Sequence, residues 1–284
     1  MLGAIVGDIV GSRFEWNNIK TKEFDFFTYK CFVTDDSIMS LAIAKAILDC
    51  RGDYQTLPDR AISCMQAVGR PYPNCGYGGM FRTWMYSDNP QPYNSFGNGA
   101  AMRVSPCGFA ASSLAEARLL SRQVTAVTHN HPEGLKGAEA TAVAIYLART
   151  GHNILAICDY IHEHYYPMNF TLDSIRAAYQ FNETCQETVP QAIMAFLEST
   201  SFEDAIRNAI SLGGDSDTLA AITGGIAEAY YGIPTEIRKH ALTFLDDCLM
   251  KILLDFENIY PPQMEKSAGE NSEEPQRCHR GRPH

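Results

Sequence analysis

The chain has 284 residues, of which 45% are hydrophobic and 20% charged, a composition typical of a globular protein. Its formal net charge of −10 argues against nucleic-acid binding and against adhesion to an anionic membrane, because both surfaces attract basic proteins. No apolar run approaches the ~20 residues of a membrane span, and the N-terminus lacks the basic lead-in of a signal peptide. We therefore expect a cytoplasmic protein with no nucleic-acid or membrane partner.

The first predicted element is a helix in which Gly3, Gly7 and Gly11 are spaced four residues apart. On a helix these glycines would line one face and allow very close packing against another backbone. The alternative is a flexible start, since glycine is costly in a helix. The apolar residues between the glycines favour a tightly packed first helix.

Helical periodicity dominates the rest of the chain, whereas alternating strand patterns are scarce. The further predicted helices are Asp36 to Cys50, Pro58 to Val68, Leu114 to Ala126, Leu135 to Thr150, Asn153 to His164, Thr188 to Glu198, Phe202 to Ser211, Asp217 to Tyr231 and Pro234 to Ile252. The pattern predicts an all-α fold, a compact single-domain helical bundle over residues 1–262. Residues 263–284 form a polar tail that we expect to be disordered.

Nine cysteines are scattered along the chain, and none forms a C-x-x-C pair. Their odd number and their positions within apolar runs favour free thiols in a reducing compartment. Residues 70–103 are rich in glycine, proline and asparagine. Such an irregular segment either shapes a site or fills space in a large domain.

Two acidic clusters stand directly before helical runs: Thr34-Asp35-Asp36 and the segment from Gly213 to Thr218, which contains Asp215 and Asp217. Aspartate and threonine before a helix are common N-caps, which is the simpler interpretation of either cluster alone. One cap suffices for a helix, however, and adjacent carboxylates repel unless a cation lies between them. If the clusters converge, about four negative charges would suit two hard divalent ions such as Mg²⁺, Mn²⁺ or Ca²⁺.

Five segments together resemble the ADP-ribosylglycohydrolases, the group that includes dinitrogenase reductase-activating glycohydrolase and the ADP-ribosyl-acceptor hydrolases. The resemblance extends from Met1 to about Pro262, and the segments occur in the family's order. They are Gly3 to Asp8 with Phe14-Glu15, Thr34 to Ser37, Gly97 to Arg103, Thr128 to Pro132, and Gly213 to Thr218.

The resemblance implies roles for particular residues. The implied ligands of two Mg²⁺ ions, with Mn²⁺ possible, are Thr34, Asp35, Asp36, Asp215, Asp217 and Thr218. The implied substrate-binding residues, around the diphosphate and ribose, are Gly97, Asn98, Gly99, Ala100, Met102 and His129. The implied catalytic residues are Glu15, Asp36 and Asp215, and Glu15 is the candidate general acid or base.

Several residues keep two interpretations. Glu15 is otherwise a solvated loop charge, and Arg13 could pair with it and lower its pKa. Arg103 is either an ion-pair partner inside the protein or a ligand contact. Three aromatic residues either stack on adenine or belong to the core, and they are Tyr77, Phe81 and Phe96.

The predicted function is a metal-dependent glycosidase that hydrolyses the bond between ADP-ribose and an acceptor. Arginine-linked ADP-ribose is favoured as the substrate, while serine-linked ADP-ribose or a small ADP-ribosyl compound remain open. Two alternatives are a di-metal nucleotide phosphoesterase, since oxygen-only metal clusters also serve that chemistry, and a non-catalytic ADP-ribose-binding protein.

Overall fold

A computed structural model describes residues 1–262. Within that range it contains fourteen α-helices and no β-strand, so the predicted all-α class is confirmed. The helices are α1 Leu2–Gly11, α2 Asp35–Cys50, α3 Leu57–Gly69, α4 Gly79–Met85, α5 Ser105–Ala110, α6 Leu114–Ala126, α7 Pro132–Arg149, α8 Ile154–His164, α9 Leu172–Arg176, α10 Cys185–Leu197, α11 Phe202–Ser211, α12 Ser216–Tyr231, α13 Thr235–Leu242 and α14 Asp247–Ile259. The tail predicted to be disordered, residues 263–284, lies outside the described residues.

Helix α12 occupies the centre of the bundle. Apart from Tyr230, every one of its residues is buried, and α1, α7, α10 and α11 all pack against it. Its central part, Leu219 to Ala227, is apolar or small on all sides, as expected of a helix that is surrounded by others. Because the acidic segment from Gly213 to Thr218 begins this helix, that segment lies deep in the fold rather than on its surface.

Helix α1 packs against α12 at backbone distance, which confirms the predicted role of its glycines. A Cβ atom on Gly7 would lie 1.9 Å from the carbonyl oxygen of Ala220, and one on Gly3 would lie 2.2 Å from that of Gly224. No larger residue can occupy these positions without separating the helices. At the other end of α1, Gly11 allows the same close approach to the backbone of Asp217.

One predicted helix is wrong in its extent. The run from Pro234 to Ile252 is divided into α13 and α14 by a short turn. The Oδ1 atom of Asp246 accepts a hydrogen bond from the amide of Leu249 at 2.9 Å, and this N-cap starts a new helix. The short helices α4, α5 and α9 were not predicted, because five to seven residues carry too little periodicity.

None of the helices in residues 1–262 combines the length and the apolar character needed to cross a bilayer.

Candidate metal centre and substrate site

Five carboxylates converge where α1, α2 and α12 meet. The carboxylates of Asp8, Asp36 and Asp217 have oxygen atoms within 4.8 Å of one another, and so have those of Glu15, Asp215 and Asp217. Asp217 therefore joins two adjacent acidic groups. The four aspartates are buried and Glu15 is half-buried. The two acidic segments predicted from the sequence come together, with Asp8 and Glu15 added from the N-terminal region.

The helix starts explain how the carboxylates are held. The Thr34 side chain caps α2 by accepting a hydrogen bond from the amide of Asp36 at 3.2 Å. Asp215 occupies the N-cap position of α12, and Asp217 lies in its first turn. The positive end of a helix dipole favours carboxylates at both places.

Asp8 is the site residue that was not predicted. Its carboxylate accepts hydrogen bonds from the Thr34 amide at 3.0 Å, the Thr34 hydroxyl at 2.6 Å, the Ser37 amide at 3.2 Å and the Ser37 hydroxyl. Burial nevertheless raises the pKa of Asp8 to about 6. The sequence does contain a signal for Asp8. It is the one charged or hydrogen-bonding side chain in α1, and aspartate is rarely buried without partners.

Asp36 has the bonding pattern of a metal ligand. Its Oδ2 atom lies 3.4 Å from the Thr34 hydroxyl and 3.3 Å from the Thr218 hydroxyl, whereas its buried Oδ1 atom has no hydrogen-bond partner. An unpartnered buried carboxylate oxygen is costly, and a cation beside it would remove that cost. Burial and the neighbouring aspartates raise the pKa of Asp36 and of Asp217 well above the ordinary value. The all-oxygen surroundings fit a hard divalent ion.

Asp35 lies at the edge of this cluster. It is half-buried and belongs to neither of the two closest carboxylate groups among the described residues. Its amide donates to the carbonyl oxygen of Cys75 at 2.7 Å, and its Oδ1 lies 2.8 Å from where a Cβ on Gly76 would be. Burial and the charge of Asp8 raise the pKa of Asp35 well above its ordinary value.

Glu15 combines partial exposure with a raised pKa. Burial, followed by the charge of Asp215, raises the pKa of Glu15 to about 7. The expected pairing with Arg13, which would lower that pKa, is wrong. The Arg13 guanidinium donates to the carbonyl oxygen of Asp25 and lies over the ring of Phe14, 4.3 Å from its centroid.

The Gly97–Gly99 loop lies beside the acidic cluster. The Asn98 side chain donates to Asp215 at 2.7 Å and to Thr188 at 3.2 Å, so it holds one of the site carboxylates. Most of the backbone N–H groups predicted to bind diphosphate already donate hydrogen bonds within the protein. Those of Asn98, Ala100 and Met102 donate to backbone carbonyl oxygens. The side chains of Ala100 and Met102 are buried in the core. These residues therefore shape the loop.

His129 lies against the same loop. Its Nε2 atom lies 3.6 Å from the position that a Cβ on Gly97 would take and 3.5 Å from the equivalent position at Gly99. Its Nδ1 atom lies 2.8 Å from the hydroxyl of Thr128. Burial, assisted by the charge of Arg103, lowers the pKa of His129 well below its ordinary value, so the ring is neutral.

The buried Arg103 determines which ring nitrogen of His129 carries the proton. Its guanidinium donates to the Thr128 hydroxyl and lies 3.5 Å from Nδ1 of His129. Because arginine can only donate, this contact favours Nδ1 as an acceptor, with the ring proton on Nε2 beside the loop. No carboxylate of residues 1–262 forms an ion pair with Arg103, so it is neither the expected ion-pair partner nor exposed to a ligand.

The three candidate aromatic residues differ in accessibility. Tyr77 and Phe81 are buried in the core, and Phe81 stacks on Trp84. Phe96 is 42% exposed and packs edge-to-face against His131 at 5.1 Å between ring centroids. Of the three, Phe96 is therefore the residue that a ligand could reach.

Comparisons with known proteins identify the family of the chain. The family described as ADP-ribosylglycohydrolase matches residues 1–263. Human ADP-ribosylhydrolase ARH3 is 26% identical over 82% of this chain and 84% of its own. The ADP-ribosyl-[dinitrogen reductase] glycohydrolase of Rhodospirillum rubrum is 26% identical over 71% of this chain and 69% of its own. The ADP-ribosylarginine hydrolase Tri1 of Pseudomonas putida is 24% identical over 82% and 70%.

A solved structure shows that the fold is shared. It belongs to an ADP-ribosylglycohydrolase-related protein complex, has a TM-score of 0.65 and 23% sequence identity, and is matched over 91% of this chain and 95% of its own. This similarity concerns the helical fold, whereas the family match covers all of the described residues, including those of the candidate site. The resemblance seen in the sequence is confirmed: the chain belongs to the ADP-ribosylglycohydrolase family, and it is an enzyme that hydrolyses glycosidic bonds to ADP-ribose.

Proposed function

We propose that the chain is a metal-dependent hydrolase that removes ADP-ribose from a modified acceptor by using a binuclear Mg²⁺ site. The observation that carries this proposal is the pair of acidic groups that share Asp217. Two adjacent carboxylate groups with one common member suit two ions bridged by a single ligand. The unpartnered Oδ1 atom of Asp36 supports a cation at the same place.

The ligands that we propose come from both acidic segments. Asp36, Asp215 and Asp217 would hold two Mg²⁺ or Mn²⁺ ions together with Thr34 and Thr218, while Asp35 would act from the edge. Divalent ions bound there would polarise the ribose hydroxyls and a water molecule, and would stabilise the charge that develops as the glycosidic bond breaks. Asn98 would keep Asp215 in place through its 2.7 Å hydrogen bond.

Glu15 would move the proton. A carboxyl group whose pKa is about 7 can either accept or donate a proton near neutral pH. Its carboxylate lies beside Asp215 and Asp217, so it can reach a water molecule at the cluster. We propose that Glu15 takes a proton from the attacking water and returns it to the leaving acceptor.

His129 would bind the substrate rather than the ions. Its neutral ring presents an Nε2 proton next to the Gly97–Gly99 loop. A neutral donor in a buried position can hydrogen-bond a diphosphate oxygen without gaining or losing charge between pH values near 6 and 8. Phe96 offers an exposed ring on the same loop for the adenine.

Arginine-linked ADP-ribose is the substrate that the surroundings of Glu15 favour. Trp16, which follows Glu15, is 74% exposed and stacks on Phe181 at 5.1 Å between ring centroids. The carboxylate of Glu183 acts on Glu15 electrostatically, so a second acidic side chain lies near Glu15 and Trp16. An aromatic face with nearby carboxylates suits a planar guanidinium, and serine carries no such cation. The name of the Tri1 relative is consistent with this preference.

The decisive assay measures free ADP-ribose. Purified protein is incubated with Mg²⁺ and with peptides that carry ADP-ribose on arginine or on serine, and an Asp215→Ala/Asp217→Ala variant is the control. We expect release from the arginine peptide only, lost in the control and after chelation of the metal. Release of inorganic phosphate from nucleotides would favour the phosphoesterase alternative, and tight ADP-ribose binding without turnover would favour the non-catalytic binder.

Glu15→Gln tests the proton-transfer role within the same assay. Removing a general acid or base typically lowers kcat by roughly 100-fold or more. Binding of ADP-ribose and of Mg²⁺ should persist, because Gln keeps the size and most of the polarity of the side chain. Full turnover in this variant with metal bound would disprove the role. The arginine linkage and the cytoplasmic location stay predictions.

A further inference from the structure

The side chain of Asn18 connects two segments that carry site residues. Its Nδ2 atom donates to the carbonyl oxygens of Phe14 at 2.7 Å, Glu15 at 2.9 Å and Gly214 at 2.8 Å. Its Oδ1 atom accepts a hydrogen bond from the Gly214 amide at 2.7 Å. One exposed side chain thus binds the backbone of the proposed proton-transfer residue and both polar groups of the residue before Asp215.

The turn that Asn18 holds has an unusual backbone. Gly213 and Gly214 have φ angles of +69° and +73°, which lie in the left-handed region that favours glycine. The turn leads directly into Asp215 at the start of α12, so its conformation sets where that carboxylate points. Because Asn18 satisfies both the N–H and the C=O of Gly214, the turn and the Glu15 segment are fixed relative to each other.

Trp16 and Lys20, on either side of Asn18, contact other parts of the protein as well. The Nζ atom of Lys20 donates to the carbonyl oxygen of Tyr179 at 2.6 Å and to that of Leu212. Trp16 stacks on Phe181. These contacts hold residues 16–20 against the rest of the protein, whereas the Asn18 side chain donates directly to the carbonyl oxygen of Glu15.

We propose that Asn18 is a positioning residue, which fixes the distance between Glu15 and Asp215 so that proton transfer and the bound substrate stay aligned. The inference rests on the proposed function, because it assigns Glu15 the proton transfer. Its basis is geometric: four hydrogen bonds of ordinary length join the two segments through one amide. A misplacement of about 1 Å between reacting groups is enough to lower turnover about 100-fold.

The kinetic test compares Asn18→Ala and Asn18→Asp with the matched control Asn17→Ala, which changes the exposed neighbouring asparagine. Asn18→Asp keeps the shape and the Oδ1 acceptor, loses the Nδ2 donors to the three carbonyl oxygens and adds a negative charge, whereas Asn18→Ala removes the hydrogen bonds without adding charge. We expect kcat with the ADP-ribosyl peptide to fall 10- to 100-fold in both variants, with KM changed less than about threefold. Asn17→Ala should match the wild-type protein.

A second measurement tests, independently of turnover, whether Asn18 links the segment around Glu15 to the turn at Gly214. Hydrogen exchange followed by mass spectrometry should show faster exchange in both the segment around Glu15 and the turn at Gly214 when Asn18 is replaced. The two segments should change together, and the melting temperature should stay close to that of the wild-type protein. The Asn17→Ala control should show neither change.

Specific outcomes would overturn the proposal. Unchanged kcat in Asn18→Ala, or unchanged exchange at Gly214, would show that Asn18 does not position Glu15. A parallel loss of kcat, ADP-ribose affinity and melting temperature would show a general structural role instead. If the wild-type protein itself releases no ADP-ribose, the proposed function fails, and the exchange measurement still decides whether Asn18 joins the two segments.

Discussion

Replacing Asp36 with asparagine should stabilise the metal-free protein. The unpartnered Oδ1 of Asp36 lies in a cluster with Asp8 and Asp217, where each charge repels the others. An asparagine Nδ2 at the Oδ1 position would remove one charge and add a donor that faces the remaining carboxylates. The Oδ1 of asparagine would still accept the hydroxyl groups that approach Asp36 Oδ2, so the change removes charge and little else.

The pH dependence of this stabilisation follows from the direction in which the pKa values of the buried aspartates are shifted. For Asp8 the rise from 3.8 to about 6 corresponds to about 3 kcal/mol in the balance between its charged and neutral forms. A raised pKa means that the folded protein binds protons which the unfolded chain releases. This stability is present at low pH and is lost as the pH rises through about 6. Asp36→Asn should therefore raise the unfolding free energy near pH 8 by about 1–3 kcal/mol, the usual cost of a buried polar group without a partner, with a smaller gain at low pH.

Calorimetry in the presence of a chelator is the appropriate assay. For a chain of this size, the gain near pH 8 corresponds to a melting temperature about 2–12 °C higher than that of the wild-type protein. Added Mg²⁺ should reverse the order, because the ions bind the wild-type carboxylates more tightly and stabilise the folded state by mass action. Asp59→Asn, an exposed change on α3, should have no effect under either condition. A lower melting temperature for Asp36→Asn in the chelator near pH 8 would refute the reasoning.

Two further predictions concern packing and substrate binding. Gly7→Ala should lower the unfolding free energy by at least about 3 kcal/mol, because its Cβ would lie 1.9 Å from the Ala220 carbonyl oxygen. Gly78→Ala, which meets no atom within 4 Å, is the control, and thermal melting that does not separate the two would contradict the packing argument. His129→Ala should weaken ADP-ribose binding about tenfold by loss of one hydrogen bond to a charged group. Because the pKa of His129 is well below its ordinary value, titration calorimetry should find the same ratio near pH 6.5 and near pH 8.

The sequence predicts the long helices well because their apolar positions recur at helical spacing. It also predicts the close packing of α1, since Gly3, Gly7 and Gly11 make sense only against another backbone. It fails at the boundary between α13 and α14, where the decisive event is a cap by Asp246 within a run that stays amphipathic. A single side-chain hydrogen bond starts a new helix there, and the spacing of apolar residues along the sequence does not reveal it.

The candidate site is only partly predictable for a different reason. Asp36, Asp215 and Asp217 stand in local patterns that suggest a shared role, but their convergence depends on the packing of α1 and α2 against α12. Which of two adjacent aspartates faces the cluster depends on the exact rotation of a helix start. That rotation places Asp36 in the closest group and leaves Asp35 beside Gly76.

The donors around each carboxylate separate the roles of Asp8 and Asp36. Asp8 lies near the C-terminal end of α1, where the helix dipole opposes a negative charge, and it is compensated by four hydrogen bonds from Thr34 and Ser37. Asp36 lies in the first turn of α2, where the helix dipole favours a negative charge, yet one of its oxygen atoms has no donor. A carboxylate with all its donors present can anchor α1 to α2, and one that lacks a donor in an acidic, buried place fits the ligand role that we propose for Asp36. Asp8 therefore joins the first two helices, and Asp36 is the aspartate with an oxygen atom free to bind a cation in the proposed site.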